Sequence, residues 1–269
     1  MVDRGLIEAI DRLHDEIAPS TAGRSTDEVR KDREYFAGSL WRYAVTLDRL
    51  SAAHGRPLHD TTVLDIGAYP GHLAALLRRR DRANVTAVTL VTSEGFERHM
   101  RRLGVALAIC DVECGSLPAI DRSIDIVLCC ELIEHLTGDV RHMLAEARRV
   151  VRDDGLLLLT TPNHASLAHR WALARGRSVY PTLDSADYPF YAGAGLPNPM
   201  RHMREFTVGE VAALLGQARF TAVSIETVSP PLAAGRALSW RGALVSRALH
   251  YSEALVVNSG ALIVATARP

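Results

Sequence analysis

The chain has 269 residues, 48% of them hydrophobic, and its 31 basic side chains balance 31 acidic ones. This length and apolar content suit one α/β core with small additions, so we expect a single domain over residues 1–269. The charges are interspersed and no apolar run reaches eighteen residues, which argues against nucleic-acid and membrane partners and predicts a cytoplasmic protein.

The spacing of apolar residues predicts helices before the first strand, in an N-terminal helical segment over 1–55. One helical stretch reaches Pro19, and a second covers about 27–53. Strands and helices then alternate, which predicts a parallel sheet with right-handed crossovers. The predicted units are strand 62–66, helix 71–80, strand 84–91, helix 94–103, strand 105–110, strand 123–130, helix 139–152 and strand 155–161.

A long insertion over 165–204 is rich in Gly, Pro, Tyr and Asp and has no clear periodicity. We predict a substrate lid here, because tyrosines and carboxylates together suit polyhydroxylated ligands. A solvated loop is the alternative. The residues predicted to line the lid are Tyr180, Asp184, Asp187, Tyr188 and Tyr191.

After the insertion, Thr207 is predicted to cap a helix over 207–218, with Glu210 as its capping-box partner. Strands are predicted at 221–228 and 260–266. Between them, a helical segment around 236–250 belongs to an apolar stripe over 232–250. This stripe either packs on its own sheet or pairs two copies of the chain in a homodimer.

The most informative stretch is 63–73, which predicts a buried strand, a glycine turn and a helix start. Gly67 and Gly71 let the backbone approach a ligand closely, and the free N–H groups of the helix beginning near Gly71 face that ligand. The D-x-G-x-x-x-G pattern lacks the third glycine of the dinucleotide fingerprint. It resembles instead the first motif of the class I S-adenosylmethionine-dependent methyltransferases.

This resemblance covers roughly residues 60–222. It implies a Rossmann-like α/β fold with a mostly parallel sheet that ends in antiparallel C-terminal strands. It further implies that Asp65 lies near the cofactor's amino group and that Asp111 accepts a hydrogen bond from its adenine. The residues that the resemblance assigns to S-adenosylmethionine are Asp65, Gly67, Ala68, Tyr69, Gly71, Thr89, Leu90, Asp111, Val112, Cys130 and Glu131.

The predicted ribose contact departs from the family pattern. In these enzymes the second strand normally ends in an acidic residue that binds both ribose hydroxyls, whereas Thr89 stands at that place here. Two alternatives remain open: Thr89 binds one hydroxyl, or Glu94 reaches back from the next helix.

A cluster of polar side chains follows the fourth strand, where Glu131, Glu134 and His135 form an E-x-x-E-H motif. On a helical turn this spacing puts all three on one face, at the strand end where ligands of open α/β sheets bind. Two carboxylates and one imidazole are ligands that suit Mg²⁺ or Mn²⁺. The motif resembles small-RNA 2′-O-methyltransferases and ubiquinone-pathway O-methyltransferases, and the RNA branch implies His202 as a fourth metal ligand.

The alternative is a metal-free site in which Glu131 contacts the cofactor and a histidine acts as base. The predicted catalytic residues are Glu134, His135 and His202, with His164 as a further candidate base and His142 as a surface residue. The cysteines fit no zinc spacing and are predicted to be small buried side chains. They are Cys110, Cys114, Cys129 and Cys130.

Together these features predict an O-methyltransferase acting on a sugar or glycoside hydroxyl beside a second hydroxyl, with a small-molecule or oligosaccharide acceptor. The balanced charge disfavours RNA as the acceptor. A phenolic or catechol acceptor is the alternative within the enzyme class. Outside it, the rivals are a non-catalytic cofactor-binding module and, less favoured, a nicotinamide dehydrogenase.

Overall fold

The computed structural model describes residues 4–18, 25–180, 202–230 and 256–269. Within these ranges a seven-stranded sheet has the order β3-β2-β1-β4-β5-β7-β6. Strands β1 to β5 are parallel, and β7 lies antiparallel between β5 and β6, which confirms the predicted fold class. The strands are β1 (Thr62–Ile66), β2 (Asn84–Thr89), β3 (Ala106–Ile109), β4 (Ile124–Cys130), β5 (Val151–Pro162), β6 (Thr221–Val228) and β7 (Leu262–Arg268).

Capping residues mark where two of the helices begin. Ser25 and Glu28 form a capping box at the start of α3, and Thr207 and Glu210 form the predicted box at the start of α8. The described helices are α1 (Arg4–Arg12), α2 (His14–Ile17), α3 (Thr26–His54), α4 (His72–Arg80), α5 (Glu94–Leu103), α6 (Val140–Val150), α7 (Leu167–Ala174) and α8 (Val208–Gln217).

Two apolar cores cover opposite faces of the sheet, because alternate strand residues point to opposite sides. On one face, Leu156 and Leu158 of β5 pack in a core with residues from α1 to α5. On the other face, Leu157 and Leu159 pack in a core with residues from α6 and α8. Helices α1 to α5 therefore shield one face of the sheet, and helices α6 and α8 shield the other.

The largest disagreement with the predicted strands is at the start of β5, which begins at Val151 rather than near residue 155. Arg152, Asp153 and Asp154 are exposed. Their charges hide this part of the strand from a search for apolar runs. The prediction also extended β2 to residue 91, whereas the strand ends at Thr89.

The predicted lid contains a short helix, α7, that the sequence did not indicate. None of its residues is buried, so it has no apolar stripe that faces a core. Tyr180 is the one predicted lid residue that the structure describes. The remainder, Asp184, Asp187, Tyr188 and Tyr191, and the stripe over 232–250 lie outside the described residues.

The segment 202–206 runs beside the ends of β4 and β5. Phe206 forms a parallel bridge with Asn163, and the His164 N–H donates to the Phe206 carbonyl over 2.9 Å. The Met203 N–H donates to the Glu134 carbonyl over 2.7 Å. These backbone contacts bring the side chains before α8 to the carboxyl edge of the sheet.

Among the described helices, none is both long and apolar enough to cross a membrane. The cysteines are all free, and Cys129 is buried within β4. Cys114, however, is exposed in the turn after β3, so the prediction of small buried side chains is wrong for this residue.

Candidate active site

The turn after β1 requires glycine at two positions. Gly67 and Gly71 have φ angles of 78° and 92°, and Gly71 is the N-cap of α4. A Cβ on Gly67 would lie 2.8 Å from a methyl carbon of Leu132, and a Cβ on Gly71 would lie 2.6 Å from Met100 Cε. The absent side chains therefore make room for neighbouring apolar groups while the loop turns into the helix.

Asp65, at the end of β1, has a buried carboxylate that lines a pocket. Only 3% of the residue is exposed, and Oδ2 has no hydrogen-bond partner among the described residues. Burial raises the pKa of this carboxyl to about 7. A cationic ammonium group entering the pocket would stabilise the ionised form, so the site fits the family's contact with the cofactor amino group.

The pocket lies between the glycine loop, the ends of β4 and β5, and helix α3. Five polar or aromatic side chains of α3 line it, and the sequence analysis assigned none of them to the site. Their helical spacing, a stripe along one side of α3, is the signal that could have indicated them. They are Tyr35, Ser39, Arg42, Tyr43 and Thr46.

Arg42 binds Glu131 across this pocket. The guanidinium donates from Nη1 to Glu131 Oε2 over 2.9 Å and from Nη2 to Ser39 Oγ over 2.8 Å. The other Glu131 oxygen accepts a hydrogen bond from the Thr160 hydroxyl at 3.1 Å. Glu131 has a φ of 52°, a conformation uncommon outside glycine, so the backbone aims its side chain at Arg42.

Glu134, His135 and His202 form a second cluster, beyond the end of β4. Their ligand atoms all lie within 4.8 Å of one another, and the two imidazole centroids are 4.9 Å apart. Glu134 is fully buried, and its Oε2 accepts from the Thr161 hydroxyl at 2.9 Å. Burial raises the pKa of its carboxyl well above the usual range, while Oε1 has no hydrogen-bond partner among the described residues.

The structure thus brings together three of the four predicted metal ligands and places Glu131 elsewhere. The predicted helical turn is only a 3₁₀ turn over Ile133–His135, so Glu131 lies outside it. Thr160 and Thr161 are adjacent in β5 and point to opposite faces, and each binds one of the two glutamates. Glu131 therefore faces the pocket under α3, and Glu134 faces the cluster with His202.

His164 and His142, the other histidines considered in the sequence, have different surroundings. His164 lies beside Glu205, with 3.8 Å between Nδ1 and Oε2, rather than in the Glu134 cluster. His142 is half-buried, and its Nε2 lies 3.0 Å from the Gly115 carbonyl oxygen. This contact gives His142 a place in packing the turn after β3.

The edge of the sheet next to the glycine loop is apolar and exposed. Tyr69, Leu90, Val91 and Ile109 are each about 60% exposed, which suits a flat aromatic base. Thr89 is buried, and its hydroxyl donates to the Val91 carbonyl over 3.0 Å, while Glu94 is exposed in the first turn of α5.

The two predicted adenine-binding residues follow β3. Asp111 is exposed, and its Oδ1 accepts from the Glu113 N–H at 3.0 Å, while Val112 is half-buried. Asp111 thus holds its own turn at the carboxyl edge of the sheet, next to the exposed Ile109.

Known proteins resemble this chain in sequence and in fold. A protein-family model described as a methyltransferase domain matches residues 64–159. A probable S-adenosylmethionine-dependent methyltransferase of Mycobacterium tuberculosis is 29% identical over 163 residues, which are 61% of this chain and 50% of that protein. The chain therefore spans about half the length of this relative.

Solved structures share the fold at low sequence identity. A phosphoethanolamine N-methyltransferase of Haemonchus contortus has a TM-score of 0.55 and 16% identity, covering 85% of this chain and 52% of its own. The geranyl diphosphate C-methyltransferase of Streptomyces coelicolor, determined with Mg²⁺, has a TM-score of 0.54 and 15% identity. This match covers 99% of this chain and 88% of the other, and both likenesses concern the fold alone.

Proposed function

The chain carries a methyltransferase domain of the class I S-adenosylmethionine-dependent type, and from this premise we propose that it methylates a hydroxyl of a sugar or glycoside. The observation that carries the proposal is the cluster of Glu134, His135 and His202 at the carboxyl edge of the sheet. Two imidazoles and a carboxylate oxygen without a hydrogen-bond partner can hold a divalent cation that a vicinal diol would chelate.

The pocket under α3 supports binding of the cofactor. S-adenosylmethionine, when bound, supplies an electrophilic methyl group. Asp65 offers a buried carboxylate for the amino group of the cofactor. Arg42, which also binds Glu131, offers a guanidinium for the carboxylate of the cofactor. The exposed apolar edge at Leu90 and Ile109 would receive the adenine. The Thr89 hydroxyl donates to the Val91 carbonyl, so its oxygen can still accept a hydrogen bond from one ribose hydroxyl.

The Glu134 cluster supports activation of the acceptor. A divalent cation there would lower the pKa of a hydroxyl bound to it. Glu134 is held by Thr161, and His202 is held through Nδ1 by Glu205, so both present fixed ligand atoms. In a metal-independent reaction, His135 or His202 would accept the hydroxyl proton as a base instead.

A panel assay tests the proposal. Methyl transfer from S-adenosylmethionine would be measured with mono- and oligosaccharides, catechols and primary amines, each with EDTA and with Mg²⁺ added back. Transfer to a sugar that EDTA abolishes and Mg²⁺ restores is the expected result. Sugar methylation indifferent to EDTA would favour the histidine base, and transfer to catechols or amines alone would overturn the sugar acceptor.

The rival from outside the enzyme class is a non-catalytic module that retains the cofactor. It rests on Thr89, which replaces the acid that normally binds the ribose. Purified protein that retains S-adenosylhomocysteine and transfers no methyl group to any acceptor would favour this module.

A further inference from the structure

A second group of potential ligands lies next to the Glu134 cluster. His164 follows β5, His169 belongs to α7, and Glu205 lies just before α8. Glu205 Oε2 is 3.5 Å from His169 Nδ1 and 3.8 Å from His164 Nδ1, and the ligand atoms of the three residues lie within 4.8 Å of one another.

Two of these atoms are buried without a hydrogen-bond partner among the described residues. They are Glu205 Oε2, on a side chain only 9% exposed, and His164 Nδ1. An unsatisfied buried polar atom destabilises the folded state, and an unsatisfied charged group does so more strongly. Two such atoms facing each other indicate that a further group binds between them.

The separations fit a cation better than a direct contact. Nitrogen and oxygen ligands lie about 2.0–2.1 Å from zinc, so the ligand atoms of a tetrahedral site are roughly 3.4 Å apart. The 3.5 and 3.8 Å distances are close to that value. His169 Nδ1 also lies 3.1 Å from the His164 carbonyl oxygen, so a cation bound through Nδ1 replaces this hydrogen bond.

We propose that His164, His169 and Glu205 bind a second divalent cation, of the zinc-like class that accepts mixed imidazole and carboxylate ligands. Glu205 connects this site to the first. Its Oε1 accepts from His202 Nδ1 at 3.1 Å, while its Oε2 faces the second site. Under this assignment His164 is a ligand rather than the base.

Metal stoichiometry of the full chain tests this proposal without any activity assay. The chelator-stripped protein would be titrated with Co²⁺, followed by visible absorption, and with Zn²⁺, followed by calorimetry. We expect two equivalents for the wild type and one for His169→Gln and for His164→Gln. His59→Gln is the matched control, because this exposed histidine lies far from the site in sequence and pairs with Asp60, and it should keep both equivalents.

Further variants separate this site from the first. Glu205→Gln should remove the second equivalent and weaken the first about 10- to 100-fold, as loss of a ligand-orienting partner does. If His169→Gln loses one metal equivalent and His135→Gln loses none, the second site is supported. The proposed function would then proceed without a metal at the Glu134 cluster. If His169→Gln keeps its unfolding transition and binds as many metal equivalents as the wild type, the proposal is overturned.

Discussion

Arg42 and Glu131 lie 89 residues apart in the sequence and form an ion pair, with 2.9 Å between Nη1 and Oε2. This pair joins the N-terminal helix α3 to the end of β4, across the pocket assigned to the cofactor. Replacing Arg42 by Met should leave a carboxylate that is only 22% exposed without its partner. We expect the free energy of unfolding to fall by about 1–3 kcal/mol.

A double-mutant cycle in urea denaturation measures this coupling. The variant Arg42→Met combined with Glu131→Gln should lose less stability than the sum of the single variants, because no unpaired charge remains. Strictly additive losses would mean that the pair contributes nothing.

His202→Ala should reduce turnover far more than cofactor binding. The imidazole belongs to the Glu134 cluster, whereas Asp65, Arg42 and the glycine loop line the pocket under α3. Calorimetry with S-adenosylhomocysteine and initial rates of methyl transfer measure the two effects, with His59→Ala as the control. Equal losses in both would show that His202 maintains the structure rather than the reaction.

Asp65→Asn should change the pH dependence of stability. The folded pKa of about 7 lies above the ordinary 3.8, so the folded state binds the extra proton between pH 4 and 7. The stability that Asp65 contributes is therefore complete below pH 4 and is lost as the pH rises to 7.

The variant has no such titration. Without cofactor, it should be more stable than the wild type by about 2–4 kcal/mol at pH 8, and this difference should shrink towards pH 4. Urea denaturation at several pH values measures it. A difference independent of pH would mean that Asp65 titrates normally.

Thr161→Val and Thr160→Val form a matched pair of variants. Thr161 donates to Glu134, and Thr160 donates to Glu131, so each substitution removes one hydroxyl from a different face of the sheet. Thr161→Val should weaken Mg²⁺ binding about 10-fold or more and leave cofactor affinity unchanged. Thr160→Val should weaken cofactor binding and leave Mg²⁺ affinity unchanged. Identical effects of the two variants would contradict the assignment of the two glutamates to different faces.

Much of the sheet could be predicted because its strands are apolar and bounded by turns. β1 and β6 match their predicted limits, and Thr207 caps α8 as its box with Glu210 indicated. Helix α7 could not be predicted because none of its apolar residues is buried, and Trp171 is exposed. Its sequence therefore has no apolar stripe that would indicate a buried face.

The site was harder to predict than the fold, because its partners come from distant segments. The spacing of Glu131 and Glu134 suggested one helical face, but the positive φ of Glu131 turns its side chain away. No local pattern encodes that angle at a non-glycine residue. Arg42 was missed for a related reason: a charged residue on a long helix is normally solvated, and its partner lies far along the chain.

The alternation of β5 makes its residue count as important as its composition. Substitutions at Thr160 or Thr161 would alter one face at a time, so the two halves of the site can vary independently. Deleting or inserting one residue between Gly155 and Thr160 would instead change the partners of both glutamates at once, because every later side chain of the strand would move to the opposite face. Among related sequences, we expect this strand to accept changes of side chain readily and single-residue changes of length almost never.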